Sequence, residues 1–157
     1  MGKIFERQRL TASQLRTVAE RRFDDAEYLR NSRLNARANG IFYLGGFVIE
    51  CLLKARLVEE YPSVVLVRDP ALLSRQDRAI WDLVFRSHDL DSMLSHLPSL
   101  TRKMAVAHSG GFDALAKLRK ICSQWTVFAR YSTHSETMEH ASRFLQTIRE
   151  LKRWLKQ

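Results

Sequence analysis

Apolar residues recur at three- and four-residue steps through most of the chain, the spacing of helices packed by one face. Leu15, Val18, Ala19, Phe23, Ala26 and Leu29 fall on one side of a first helix, opposite Arg16, Glu20, Arg21, Asp24, Asp25 and Arg30. Thr11 and Gln14 form a Thr-x-x-Gln capping box at its head, and the pattern runs to about Leu34. A second helix is predicted from about Ala36 to Glu60, ending before Pro62. Its middle is apolar nearly all round, from Ile41 and Phe42 to Leu52 and Leu53, which marks it as the central helix of a bundle. Gly45 and Gly46 inside it predict close approach by a neighbouring helix backbone; mid-helix glycines offer phosphate no free amides.

Periodicity lapses from Pro62 to Pro70, where Val64–Val67 read as a loop packed on the core, since a lone strand has nothing to pair with. Asp69-Pro70 has the form of a cap followed by a first helical residue. A helix over Arg75–Phe85 follows, then a shorter one from Asp89 to Leu97 stopping at Pro98, and Ser109-Gly110-Gly111 break the chain. The next pattern, Phe112 to about Arg130, should bury Leu115, Leu118, Cys122, Trp125 and Phe128. Thr133 and Glu136 match a second capping box, opening a last helix through Met138, Phe144, Ile148 and Leu155. The expected fold is all-α: an up-down bundle of four main helices plus one or two short ones, in a single domain over 1–157 with residues 1–10 a loose segment.

Composition fits a globular domain, with 45% hydrophobic and 27% charged residues. Twenty-six Lys and Arg against 17 Asp and Glu leave a formal charge of +9, so an anionic partner is expected: RNA, DNA, a nucleotide or an acidic protein. Cys51 and Cys122 are far apart and each sits in an apolar helical pattern, as reduced core residues of a cytoplasmic protein do. The start carries no apolar signal-peptide core, and the run Ile41–Leu53 is too short for a bilayer and contains Glu50, so no membrane association is expected. His96, His108 and His140 lack metal-ligand spacing, and no cofactor or metal is expected.

Polar residues on core-facing patterns carry the candidate chemistry. Glu50 lies between Ile49 and Cys51; it either pairs with Lys54 along an exposed helix edge or is buried and needs partners. His88 opens the short helix in Ser87-His88-Asp89-Leu90. Arg130 and Tyr131 end the fourth long pattern, and His134 follows. If helical geometry continues across that junction, Arg130 and His134 share a face. Such a pair suits phosphodiester cleavage through the ribose 2′-hydroxyl, the Arg stabilising transition-state charge and the His moving a proton, with no metal required. The bland alternative pairs Arg130 with a core acid such as Glu50 and leaves His134 a solvated turn residue.

In order along the chain, Ala26-Glu27-Tyr28-Leu29, the stretch Gly45–Ala55, His88-Asp89-Leu90 with Leu94, and Arg130-Tyr131 resemble the HEPN (higher eukaryote and prokaryote nucleotide-binding) family. The resemblance implies an α-helical bundle, often homodimeric. Its members include RNA- or nucleotide-binding domains, toxins paired with a minimal nucleotidyltransferase antitoxin, and metal-independent endoribonucleases. Carried over, it makes Arg130 and His134 the catalytic pair and Glu50, Lys54, His88 and Tyr131 the nucleotide- or RNA-binding cluster. The family's RNases separate the arginine and histidine by more residues than Tyr131, Ser132 and Thr133, which stand between them here. The other class of function is a non-catalytic protein–protein interaction module built around a structural Glu50–Arg130 pair.

Overall fold

The computed structural model describes residues 10–157, apart from Arg68, Ser109 and the side chain of Arg130. Residues 1–9, most of the expected loose N-terminal segment, lie outside the described residues. The fold is an all-α bundle with these helices: α1 (Ala12–Asn31), α2 (Ala38–Glu60), α3 (Ser63–Leu66), α4 (Arg75–Phe85), α5 (Leu90–Ser95), α6 (Pro98–Val106), α7 (Gly111–Gln124) and α8 (Met138–Leu155). Turns of 3-10 helix cover Asn35–Arg37, Pro70–Leu72 and Val127–Tyr131.

The long helices α1, α2, α7 and α8 alternate in direction. Arg16 near the start of α1 meets Glu59 near the end of α2 at 2.6 Å, so those two run antiparallel. Helix α8 runs back along α1, placing Lys152 2.7 Å from Glu20. It also opposes α7, where Lys117 meets Glu150 at 3.1 Å. Helices α3–α6 form the connection from α2 to α7. One core joins Leu15, Phe23, Ile49, Leu53, Met93, Leu118, Ile148 and Leu155, and α2 supplies more of it than any other helix because it is apolar on most sides.

Local chemistry sets the helix starts. The Thr11–Gln14 capping box forms as expected, with Gln14 N donating to Thr11 Oγ1 at 3.3 Å and Thr11 N to Gln14 Oε1 at 2.9 Å. Asp89 and Ser74 cap α5 and α4 through the amides of Ser92 and Asp77, each at 3.0 Å. Asp69 does act as a cap, but only of the 3-10 turn that Pro70 begins.

Several expectations need correction. The first helix stops at Asn31 rather than near Leu34, because Arg33 takes a left-handed conformation with φ 56°. The stretch after Pro62 contains the one-turn helix α3, which buries Val64 and exposes Leu66. Pro98 starts a helix instead of only ending one: as first residue of α6 its missing N–H is no loss. The fourth long pattern breaks at Trp125, whose backbone is extended with ψ 136°, so α7 ends at Gln124 and Phe128 is 71% exposed. Thr133 and Glu136 form no capping box; Thr137 caps α8, accepting from His140 N at 3.2 Å.

Gly45 and Gly46 do admit a close neighbour, but by side chains rather than a helix backbone. A Cβ at Gly45 would lie 2.5 Å from Phe144 Cε1, and one at Gly46 would overlap the Trp125 indole. Cys51 and Cys122 are buried free thiols. Burial pushes both up to about 12, with nearby carboxylates adding to it (Glu50 for Cys51, Asp91 and Asp89 for Cys122). Neither thiol should react with a disulfide reagent at pH 8 until denaturant opens the fold; prompt labelling of the native protein would contradict this burial.

Candidate nucleotide or RNA site

Gly46, Glu50 and Lys54 recur every fourth residue along α2, after Phe42, and so form one ridge on the helix. Each step advances about 6 Å along the axis. Of the residues the resemblance singled out, Glu50, Lys54 and His88 meet at this ridge.

At its lower end Glu50 is 2% exposed, with Lys54 Nζ 2.7 Å from its Oε1. His88 Nδ1 lies 3.0 Å from both carboxylate oxygens, so the imidazole donates this N–H to Glu50 and is fixed in orientation. Lys54 Nζ also donates to the Ser87 carbonyl at 2.9 Å, which ties the entry of α5 to α2. The structure therefore brings Glu50, Lys54 and His88 together, at a buried position rather than on an exposed helix edge. Half of the His88 side chain, 51%, remains open to solvent. Of the three, it is the one placed to touch a ligand.

Beyond the upper end, Phe42 borders an aromatic cleft of about 570 Å³. Phe42, Trp125 and Phe144 wall it, with Phe42 and Phe144 ring centroids 4.8 Å apart. Trp125 stacks on Tyr43 at 6.3 Å and sits over Gly46. Lys117, Lys120, Ile121 and Gln124 line the α7 side, one face of that helix by their three- and four-residue spacing. Thr126, Ala129 and Thr147 complete it. Hydrogen bonds to Asp113, then Glu150, hold the Lys117 ammonium above its ordinary range, and both carboxylates form ion pairs with it. Lys120 has no ion-pair partner among the described residues, which leaves its charge for an incoming anion.

Phe42 and Ala129 also border a smaller hollow of about 230 Å³ that reaches Asn39, Ser132, His134 and Glu136. Asn39 pins this segment to α2, donating to the His134 carbonyl at 2.6 Å and accepting from Glu136 N at 3.1 Å. From Ser132 to Thr137 the chain is not helical, so Arg130 and His134 do not share a helical face, and the geometric premise for pairing them fails. The Arg130 side chain lies outside the described residues, as does any Glu50–Arg130 pair; the Glu50 contacts described are those to Lys54 and His88. Tyr131 is 67% exposed on the same 3-10 turn as Ala129. Glu136 Oε2 also lies 3.0 Å from His140 Nδ1, across the start of α8.

Among the described residues no three His, Cys, Asp or Glu side chains converge to hold a metal, and no helix is long and apolar enough to cross a membrane. No protein-family model, curated protein or solved structure matches the chain.

Proposed function

We propose that this chain is a HEPN-type domain that binds RNA or a nucleotide in the aromatic cleft, acting as a homodimer or beside a nucleotidyltransferase-like partner. The observation that carries the reading is the cleft itself. Aromatic faces at Phe42, Trp125 and Phe144 suit a stacked base, and the unpaired Lys120 at the α7 wall suits its phosphate. A net charge of +9 draws such ligands in. The meeting of Glu50, Lys54 and His88 from separate segments adds support, because these are the residues on which the family resemblance rests. Phe128 and Tyr131 on the turn beside the cleft offer apolar surface for a second copy or a partner.

Anisotropy of a labelled single-stranded RNA, titrated at several KCl concentrations in EDTA, tests this. Binding should weaken steeply as salt rises through counterion release. Trp125→Ala should reduce affinity at least ~10-fold, in line with loss of one stacked base. The RNA should stay intact, since the backbone leaves the helix between Arg130 and His134 and gives the pair no shared helical face. Cutting that Arg130→Ala and His134→Ala both abolish would make the protein a metal-independent endoribonuclease. Absence of RNA and nucleotide binding by the folded protein would shift the reading to a protein-interaction module.

A further inference from the structure

A second hollow lies across α7 from the aromatic cleft, and one residue, Lys120, lines both. Arg119, Lys120 and Ser123 form its α7 wall, while Asp91, Ser95 and Thr101 face them from α5 and α6. Its volume is about 480 Å³. Arg119 is exposed and, like Lys120, has no ion pair among the described residues. Arg119 and Asp91 face the same space, yet no ion pair closes it. The three hydroxyls donate to carbonyls of their own helices: Ser95 to Ser92 at 2.7 Å, Thr101 to Pro98 at 3.2 Å and Ser123 to Lys120 at 3.1 Å. They can turn outward without leaving a buried group unpaired, because all three bonds lie at exposed positions.

From this arrangement we infer that α7 is the spine of a single-stranded RNA site longer than one nucleotide, with a base in the aromatic cleft and the adjoining phosphodiester over Arg119 and Lys120. The inference rests on the cleft reading and extends it from a nucleotide to a strand. Guanidinium and ammonium side by side suit a phosphate, the first by a forked hydrogen bond and the second as a point charge. Asp91 can only accept hydrogen bonds when ionised, and it would repel a phosphate placed against it. What it suits, at the far wall, is a ribose 2′-hydroxyl, the group by which a protein distinguishes RNA from DNA. A mononucleotide in the cleft would reach Lys120 but not this wall.

The test compares a short oligouridylate, its deoxy counterpart and uridine 5′-monophosphate on wild type, Trp125→Ala, Arg119→Ala and Asp91→Ala. Arg119 and Asp91 are exposed, so both substitutions leave the core intact. Arg119→Ala should weaken oligouridylate binding ~5- to 10-fold and reduce its salt slope by about one, leaving the monophosphate unchanged. Asp91→Ala should erase a ribo-over-deoxy preference. Oligouridylate binding that depends on Trp125 but is indifferent to Arg119 and Asp91 would overturn the strand site and leave the cleft reading standing. Binding indifferent to Trp125 as well, or no binding at all, would overturn both.

Discussion

Gly46→Ala is expected to destabilise the protein by about 1–2 kcal/mol and to remove RNA binding, although alanine is the better helix former by about 1 kcal/mol. The sign follows from what the new methyl group meets. It would overlap Nε1, Cδ1 and Cε2 of the Trp125 indole, a rigid ring that must swing off α2 to make room. Trp125 also stacks on Tyr43 and walls the cleft, so moving it dismantles the stacking surface together with the packing. Gly110 provides the contrast: it has φ +80° and open space around it, so an alanine there strains the backbone but touches nothing. Urea denaturation and RNA anisotropy on Gly46→Ala read both effects. A protein stabilised by about 1 kcal/mol that binds RNA normally would show that Trp125 does not sit against this helix.

Glu50→Leu should be the more damaging change, lowering stability by about 3–5 kcal/mol. Glu50 is 2% exposed and Lys54 is also buried, so removing the carboxylate leaves an ammonium in the core with only the Ser87 carbonyl at 2.9 Å. The penalty is that of an unpaired buried charge rather than of one lost bond. It follows that Glu50→Leu combined with Lys54→Met should recover most of the loss, because a buried pair replaced by apolar side chains is often neutral. The half-exposed His88 keeps access to water in both variants. Equal destabilisation of the single and double variants in a denaturant titration would show that the pair is not the reason for the loss.

Much of the fold is legible in the chain because core positions repeat with the helical period. Leu15, Ala19, Phe23 and Ala26 are buried as their spacing requires, and so are Ala141, Leu145, Ile148 and Leu155. The same rule misleads at the end of α7. Trp125 and Phe128 continue the pattern, yet these aromatics belong to the cleft and its exposed turn, where the backbone has already left the helix. Pro98 reads as a stop from one side and is equally a start from the other; only the residues it packs against decide. Thr133 lost its expected capping role because Asn35 and Asn39, 103 and 97 residues earlier, accept from the amides of Met138 and Glu136 and hold that stretch extended. Such long-range bonds leave no periodic trace.

The candidate site divides the same way. Glu50, Lys54 and His88 stand out in the sequence because polar groups on a core-facing pattern need partners, and each supplies the others. The cleft was not legible. Its aromatics count as ordinary core residues when read along the chain, and Lys117 and Lys120 as a solvated face; only the packing of α2, α7 and α8 puts them around one space.

The most direct measurement is ultraviolet cross-linking of a 4-thiouridine oligonucleotide to the intact protein, with the modified peptides mapped by mass spectrometry. Cross-links at Trp125, Phe144 or Phe42, lost when unlabelled RNA competes, are the expected result. Competable cross-links confined to α1 and α4, away from these rings, would contradict the cleft as the place where this protein holds RNA.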